Sequence, residues 1–370
     1  MKQKVDIFCK IIDNFGDIGV CWRLSKQLVN EHHLEVTLWV DDLATAQKLI
    51  KQINLALTEQ TIEGVKIHLW PKDESAFESI TPADVVIEAF ACELPQPYIQ
   101  NMVAKKPVWL NLEYLSAEKW VDDFHVQSSI HPATGLKKTF FFPGFTLKTG
   151  GLVREGDLSI SRASFKTTEF WQKLDISPPN SAIKVSLFCY PHAPINSLLT
   201  SMAQGLQAIH CFIPNTSILP IVAKHVGKTE LKVGETASQG QLSITVLPFL
   251  TQADYDELLW ACDLNFVRGE DSWIRALWSA KPFVWQPYRQ DDDLHITKLN
   301  ASFDVYAPNH DAILKDFHLA WLSNEITPQL WNALCENLSR LQKCAEKQTH
   351  EFEKQADLAA NLVIFSKNRV

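Results

Sequence analysis

Two carboxylates, Asp13 and Asp17, stand close together in the stretch Ile11-Ile12-Asp13-Asn14-Phe15-Gly16-Asp17-Ile18-Gly19-Val20. Carboxylates repel phosphate, so a loop that carries two of them suits a cation or the acceptance of a proton. Gly16 and Gly19 allow tight backbone geometry and the close approach of a ligand. A helix that begins just beyond could still hold an anion on its N-terminal N–H groups. The same residues also suit an Asx turn and a helix N-cap, each Asp satisfying backbone donors.

A second constellation is Phe266-Val267-Arg268-Gly269-Glu270-Asp271-Ser272-Trp273-Ile274-Arg275-Ala276-Leu277-Trp278. An apolar strand ends at Arg268, Gly269 permits a turn, and Asp271 or Ser272 is the expected N-cap of a helix from Trp273 to Ser279. The permanent charge of Arg268 beside a helix N-terminus suits a diphosphate, with Glu270 placed to accept from a ribose or sugar hydroxyl. A capped helix with Arg268 paired to Glu270 or Asp271 would use the same residues. Upstream, Tyr190 in Phe188-Cys189-Tyr190-Pro191 and Phe249 in Leu247-Pro248-Phe249-Leu250-Thr251-Gln252 put aromatics just beyond two strands. Rings in those positions can sandwich a base, and Gln252 can hydrogen-bond a pyrimidine edge; they can equally be plain core. Asp291-Asp292-Asp293 resembles a DxD metal motif but sits in a polar loop after Pro287-Tyr288-Arg289-Gln290, and no metal is expected there. The chain has no GxGxxG, GxxxxGK[ST], GxSxG or HExxH, which weakens dinucleotide, P-loop, serine-hydrolase and zinc-protease readings.

These residues need strands and helices to hold them. The apolar run Val5 to Ile12 reads as a buried strand and Val20 to Asn30 as a helix, so the paired carboxylates occupy the first βα corner of an α/β sheet. Further strands are expected at Glu35–Val40, Val65–Trp70, Val85–Phe90, Pro107–Leu112 and Lys137–Phe142, with helices at Leu43–Gln52 and Pro97–Ala104. A second series of strands covers Ile183–Tyr190, Ala208–Pro214, Leu242–Phe249, Leu264–Gly269 and Pro282–Gln286, alternating with helices at Ile195–Gln207, Ala253–Ala261 and Ser272–Ser279. Strands that alternate with helices build parallel βαβ units. The turn-rich Ser177-Pro178-Pro179-Asn180 marks a boundary, giving a first Rossmann-like domain over 1–180 and a second over 181–349. The tail from Thr327 is largely helical, with Thr327 as N-cap and Pro328 at the first helical position. Its end, about 350–370, has an apolar face expected to pack back on the first domain. The architecture expected is GT-B, two Rossmann-like domains facing across a cleft.

Composition fits that reading. A chain of 370 residues exceeds what one core usually supports, and 46% hydrophobic with 21% charged residues is ordinary for a globular enzyme. The net charge of -8 argues against nucleic acid and favours a basic macromolecular partner. Eight cysteines without a CxxC pair read as free thiols in a reducing cytoplasm. No stretch approaches the length of a membrane span.

The segments Asp13 to Arg23 and Arg268 to Ser272 together resemble the EarP family, bacterial protein-arginine rhamnosyltransferases that modify translation elongation factor P. The resemblance spans nearly the whole chain. It implies a GT-B fold, a dTDP-β-L-rhamnose donor and inverting transfer onto a guanidine nitrogen of one arginine; Arg268 and the helix N-terminus would stabilise the departing dTDP, so no metal or other cofactor is expected. By position it implies Asp17 as general base with Asp13 beside it, and Glu270 as a third essential carboxylate. Tyr190 and Phe249 would enclose thymine with Gln252 nearby, Arg268, Asp271 and Ser272 would hold ribose and diphosphate, and Asn14, Phe15, Gly16 and Gly269 would complete the donor site. The competing readings are another GT-B transferase or epimerase with a small-molecule acceptor, and a non-catalytic protein that binds a nucleotide and a basic partner.

Overall fold

The structure is a computed structural model and describes residues 2–12, 15–289, 293–306 and 312–369. Asp13, Asn14, Asp291 and Asp292 therefore lie outside the described residues. The chain divides into two compact units, residues 1–156 with 354–370, and residues 157–353.

In the first unit the described residues form an eight-stranded sheet in the order Glu59–Ile62, Val65–Leu69, Glu35–Val40, Lys4–Cys9, Val85–Ala89, Val108–Leu112, Lys137–Phe141, Ser128–Ile130. The six inner strands run parallel, and each edge strand is antiparallel to its neighbour. Inner parallel strands are covered on both faces, which is why their sequences are nearly continuous apolar runs. Lys4–Cys9 shows the two-fold alternation directly. Val5, Ile7 and Cys9 enter one core with Leu38 and Leu110, while Phe8 enters the other with Trp39, Phe77 and Tyr98.

In the second unit the described residues form a six-stranded sheet in the order Thr236–Gln239, Leu242–Leu247, Ile209–Pro214, Ile183–Leu187, Leu264–Arg268, Phe283–Gln286. Only the Thr236–Gln239 edge is antiparallel. In each sheet the first strand of the unit sits between strands reached by winding in opposite directions. Lys4–Cys9 lies between Glu35–Val40 and Val85–Ala89, and Ile183–Leu187 lies between Ile209–Pro214 and Leu264–Arg268. Helices leave to opposite faces there, so a crevice opens beyond the carboxyl ends of those strands.

The division between units differs from the expected boundary at 180. Helices Leu158–Ser164 and Thr167–Lys173 precede the Pro178-Pro179 turn, yet Phe170 and Trp171 are buried with Phe212, Leu247 and Leu258 of the second unit. Trp171 stacks on Phe212 at 4.4 Å. The proline turn is thus a loop within the second unit. At the other end, Leu341 of helix Leu338–Glu353 belongs to the second core, whereas Leu358, Ala359, Leu362 and Val363 of helix Leu358–Lys367 join the first. Burying each of the three large side chains contributes about 1.5–3 kcal/mol. Asp357 caps that last helix through the Ala360 amide and also accepts from Gln27 Nε2 at 3.0 Å. Thr327 caps Pro328–Glu336 through the Leu330 amide at 3.2 Å.

The described cysteines are all free, seven buried and Cys344 exposed. No helix among the described residues is long and apolar enough to cross a membrane.

His125 accepts from the Phe142 amide through Nδ1 at 3.1 Å, a role open only to the neutral ring. Burial pulls its pKa down to about 4, and does the same to His210. The unfolded chain protonates these rings near pH 6.5 while the native chain does so only near 4, so stability is lost as pH falls through that window. Thermal melting of wild type against His125→Gln, which keeps an acceptor for Phe142, should show a smaller loss between pH 6.5 and 4 in the variant; parallel curves would contradict the account.

Candidate active site

In the first unit, helix Gly16–Asn30 starts earlier than its apolar spacing indicates, directly after Phe15 at the N-cap position. Asp17 therefore stands in the first helical turn, beyond the carboxyl end of Lys4–Cys9, and is only 2% exposed. A carboxylate there is favoured by the helix dipole. The Ile12 amide donates to its Oδ2 at 2.7 Å, and the Tyr114 hydroxyl donates to its Oδ1 at 3.2 Å. Tyr114 follows the strand Val108–Leu112 and is stacked on Phe90 at 4.4 Å with ring planes 14° apart. Phe90 in turn follows Val85–Ala89. The turn beyond that strand is left-handed, with φ of 56° at Phe90 and 52° at Ala91. Neither Tyr114 nor Phe90 has a sequence signal that ties it to Asp17.

In the second unit, Arg268 ends its strand with the guanidinium carbon 4.7 Å from the ring centre of Phe188 and 4.4 Å from that of Tyr190. The two aromatics after Ile183–Leu187 thus clamp the arginine of the neighbouring strand, a cation–π arrangement that fixes its direction. Tyr190 also stacks on His192, and its amide donates to Gln286 Oε1 at 2.9 Å. Gln286 lies in the wall of a cavity of about 480 Å3 that His192, Arg289 and His295 line as well. Burial, ahead of the nearby positive charges, lowers the pKa of His192.

Gly269 makes the turn after Arg268 with φ of 59°, a conformation costly for any residue with a Cβ. Trp285 Nε1 donates to its carbonyl at 2.7 Å, and the Trp285 ring stacks on Trp273 at 3.7 Å. The expected N-cap is displaced. The helix is Asp271–Trp278 with Glu270 at the N-cap position and no side-chain cap bond. Ser272 does not cap because its hydroxyl is engaged by the Arg268 backbone, accepting from its amide at 2.9 Å and donating to its carbonyl. Gln252 opens helix Gln252–Ala261 behind the Thr251 cap, and its Nε2 is 3.5 Å from Asp271 Oδ2. Phe249 lies half-buried just past Leu242–Leu247. Tyr190 and Arg268 to Ser272 thus follow the paired strands Ile183–Leu187 and Leu264–Arg268, and Gln252 reaches Asp271 from beyond Leu242–Leu247; Phe249 also follows Leu242–Leu247, a strand that Ile209–Pro214 separates from Ile183–Leu187, and Phe15, Gly16 and Asp17 belong to the first unit.

The helix that carries Glu270 to Ser272 is anchored by a buried ion pair. Arg275 Nε and a terminal nitrogen donate to the two carboxylate oxygens of Asp256 at 3.0 and 2.7 Å. That two-pronged pair joins Asp271–Trp278 to Gln252–Ala261 about one turn in from the N-terminus of each.

Two Rossmann-like units, each an open, mainly parallel sheet with a switch point, are the architecture of the GT-B glycosyltransferases. A structure of spinosyn rhamnosyltransferase SpnG complexed with thymidine diphosphate shares the fold over 99% of this chain and 100% of its own, with a TM-score of 0.52 at 12% identity. The family model described as Elongation-Factor P (EF-P) rhamnosyltransferase EarP matches residues 5–367, and the chain belongs to that family. A protein-arginine rhamnosyltransferase of Pseudomonas putida is 41% identical over the full length of both chains. The structure described as the structural basis for EarP-mediated arginine glycosylation of translation elongation factor EF-P aligns over 100% of both chains at 31% identity, with a TM-score of 0.69.

Truncating Arg275 to Ala removes both prongs of its ion pair from the buried Asp256, a change that costs about 3–5 kcal/mol. Urea unfolding should show that loss in the second unit; a cost below about 1 kcal/mol, the range of an exposed pair, would contradict the anchoring role.

Proposed function

We propose that this chain transfers L-rhamnose from dTDP-β-L-rhamnose to a guanidine nitrogen of one arginine in elongation factor P, with inversion at the sugar carbon. The observation that carries the reading is the match to one family over residues 5–367, in a chain whose two switch points bear complementary chemistry.

A guanidinium is cationic, a poor nucleophile, and in water effectively never deprotonated. Asp17 draws it in by charge, orients one nitrogen, and accepts its proton as the new C–N bond forms. Two donors already fix the Asp17 carboxylate and favour its ionised form, so it meets the substrate as a base. As the nitrogen attacks, the bond from the sugar carbon to the diphosphate oxygen breaks and the electron pair leaves with dTDP. Arg268 and the N-terminus of Asp271–Trp278 take up that developing negative charge, the task a divalent ion performs in other transferases. Arg268, Asp271 and Ser272 hold ribose and diphosphate, Tyr190 and Phe249 enclose the base with Gln252 at its edge, and Asp13 and Glu270 complete the essential carboxylates. Asn14, Phe15, Gly16 and Gly269 shape the remaining donor contacts. The acidic net charge of -8 suits attraction of a basic acceptor surface. Buried free thiols suit the reducing cytoplasm, where such an acceptor works.

Intact-mass spectrometry of elongation factor P after incubation with this protein and dTDP-rhamnose should show a gain of one deoxyhexose on a single arginine, undiminished by EDTA. No gain would overturn the reading. A gain that collapses in EDTA and returns with magnesium would overturn its metal-free form.

A further inference from the structure

We infer that Tyr114 is a positioning residue for Asp17, a role that rests on the proposed reading of Asp17 as the base. Its hydroxyl reaches the Oδ1 of a carboxylate that is only 2% exposed, while the residue as a whole is 37% exposed. It therefore connects the buried carboxylate to the open side of the crevice.

The strands bring Tyr114 there through a chain of contacts. Asn111, 1% exposed on the strand Val108–Leu112, accepts the Ala91 amide on Oδ1 at 3.1 Å and donates from Nδ2 to Glu113. One side chain thus braces the turn after Val85–Ala89 against the turn after its neighbour. The left-handed backbone at Phe90 and Ala91 is maintained by that brace, and it presents the Phe90 ring flat against Tyr114. Stacked on Phe90, the phenol has its hydroxyl directed along the Asp17 carboxylate. With the Ile12 amide on Oδ2, both oxygens accept a hydrogen bond, which fixes the carboxylate plane and favours its charged form.

Among the described residues, the titratable groups near this place include Cys9, Cys21, Asp41 and Glu113, with Lys138 and Glu88 beside Glu113. Hydrogen bonding with Cys21, then burial and the nearby carboxylates of Asp17 and Asp41, push the Cys9 thiol well up, so it stays neutral. Asp41 accepts the Ile11 amide at 2.9 Å. Burial raises the carboxyl of Glu113, which Asn111 partly offsets. These groups are common to wild type and variant and contribute alike to both pH profiles.

The test is Tyr114→Phe, with rhamnosyl transfer to elongation factor P followed across pH. Loss of one hydrogen bond to a charged group should lower kcat about tenfold and move the acid limb of its profile up by roughly one pH unit. KM for donor and acceptor should stay within about twofold, because the ring remains. Phe90→Leu, which removes the stacking ring and leaves the hydroxyl, should shift the same limb in the same direction by less. A merely structural tyrosine would lower the melting temperature and leave the limb in place. If wild type transfers no sugar, the reading of Asp17 as base falls and takes this inference with it. If wild type transfers normally and Tyr114→Phe matches it in kcat and acid limb, this inference alone is overturned.

Discussion

The structure depends on a topological constraint that occurs once in each unit. A parallel strand whose two neighbours are reached from opposite directions leaves an unfilled crevice beyond its carboxyl end. Lys4–Cys9 and Ile183–Leu187 are those strands, and Asp17 and Tyr190 stand beyond their carboxyl ends, with Arg268 at the end of the neighbouring Leu264–Arg268. The crevice costs nothing in core packing, because Val5, Ile7 and Cys9 or Val185 and Leu187 still fill the layers behind it. Polar and charged groups can therefore gather there on elements that are rigid for other reasons.

The two crevices are furnished differently. Asp17 is held by an amide and a phenol, both donors, which is what an ionised carboxylate requires. Arg268 is held by two aromatic faces, Phe188 and Tyr190, which direct a cation without neutralising it. The supporting contacts follow the same division. Asn111 braces the turns around Tyr114, while the Asp256–Arg275 pair and the Trp273–Trp285 stack hold the helix after Gly269. In the proposed reading, a base from one unit and an anion site from the other suit a transfer whose proton and leaving group depart from opposite faces of a sugar.

Much of the scaffold was legible because parallel strands write themselves as apolar runs. Glu35–Val40 matches its expected range to the residue, and the inner strands of both sheets differ only at their ends. The edge strands Glu59–Ile62, Ser128–Ile130 and Thr236–Gln239 were not legible, since most of their side chains are exposed and no apolar period marks them. The boundary at Pro178-Pro179 misled because a proline turn reports local backbone, whereas Phe170 and Trp171 choose their unit by long-range packing. Ser272 was read as a cap from its type alone, but its hydroxyl faces the Arg268 backbone. Spacing draws attention to Asp17 and Arg268 because each sits beside a glycine in the corner between a strand and a helix. It could not reveal Tyr114, which meets Asp17 only across 97 residues of chain.

The central claim is the separation of base and donor site between the units. Calorimetric titration of dTDP into Asp17→Asn and Arg268→Ala tests it most directly, alongside single-turnover transfer by each variant. The account predicts that Asp17→Asn binds dTDP like wild type and fails to transfer, while Arg268→Ala loses about tenfold or more in dTDP affinity. Weakened dTDP binding in Asp17→Asn, with Arg268→Ala binding normally, would contradict it.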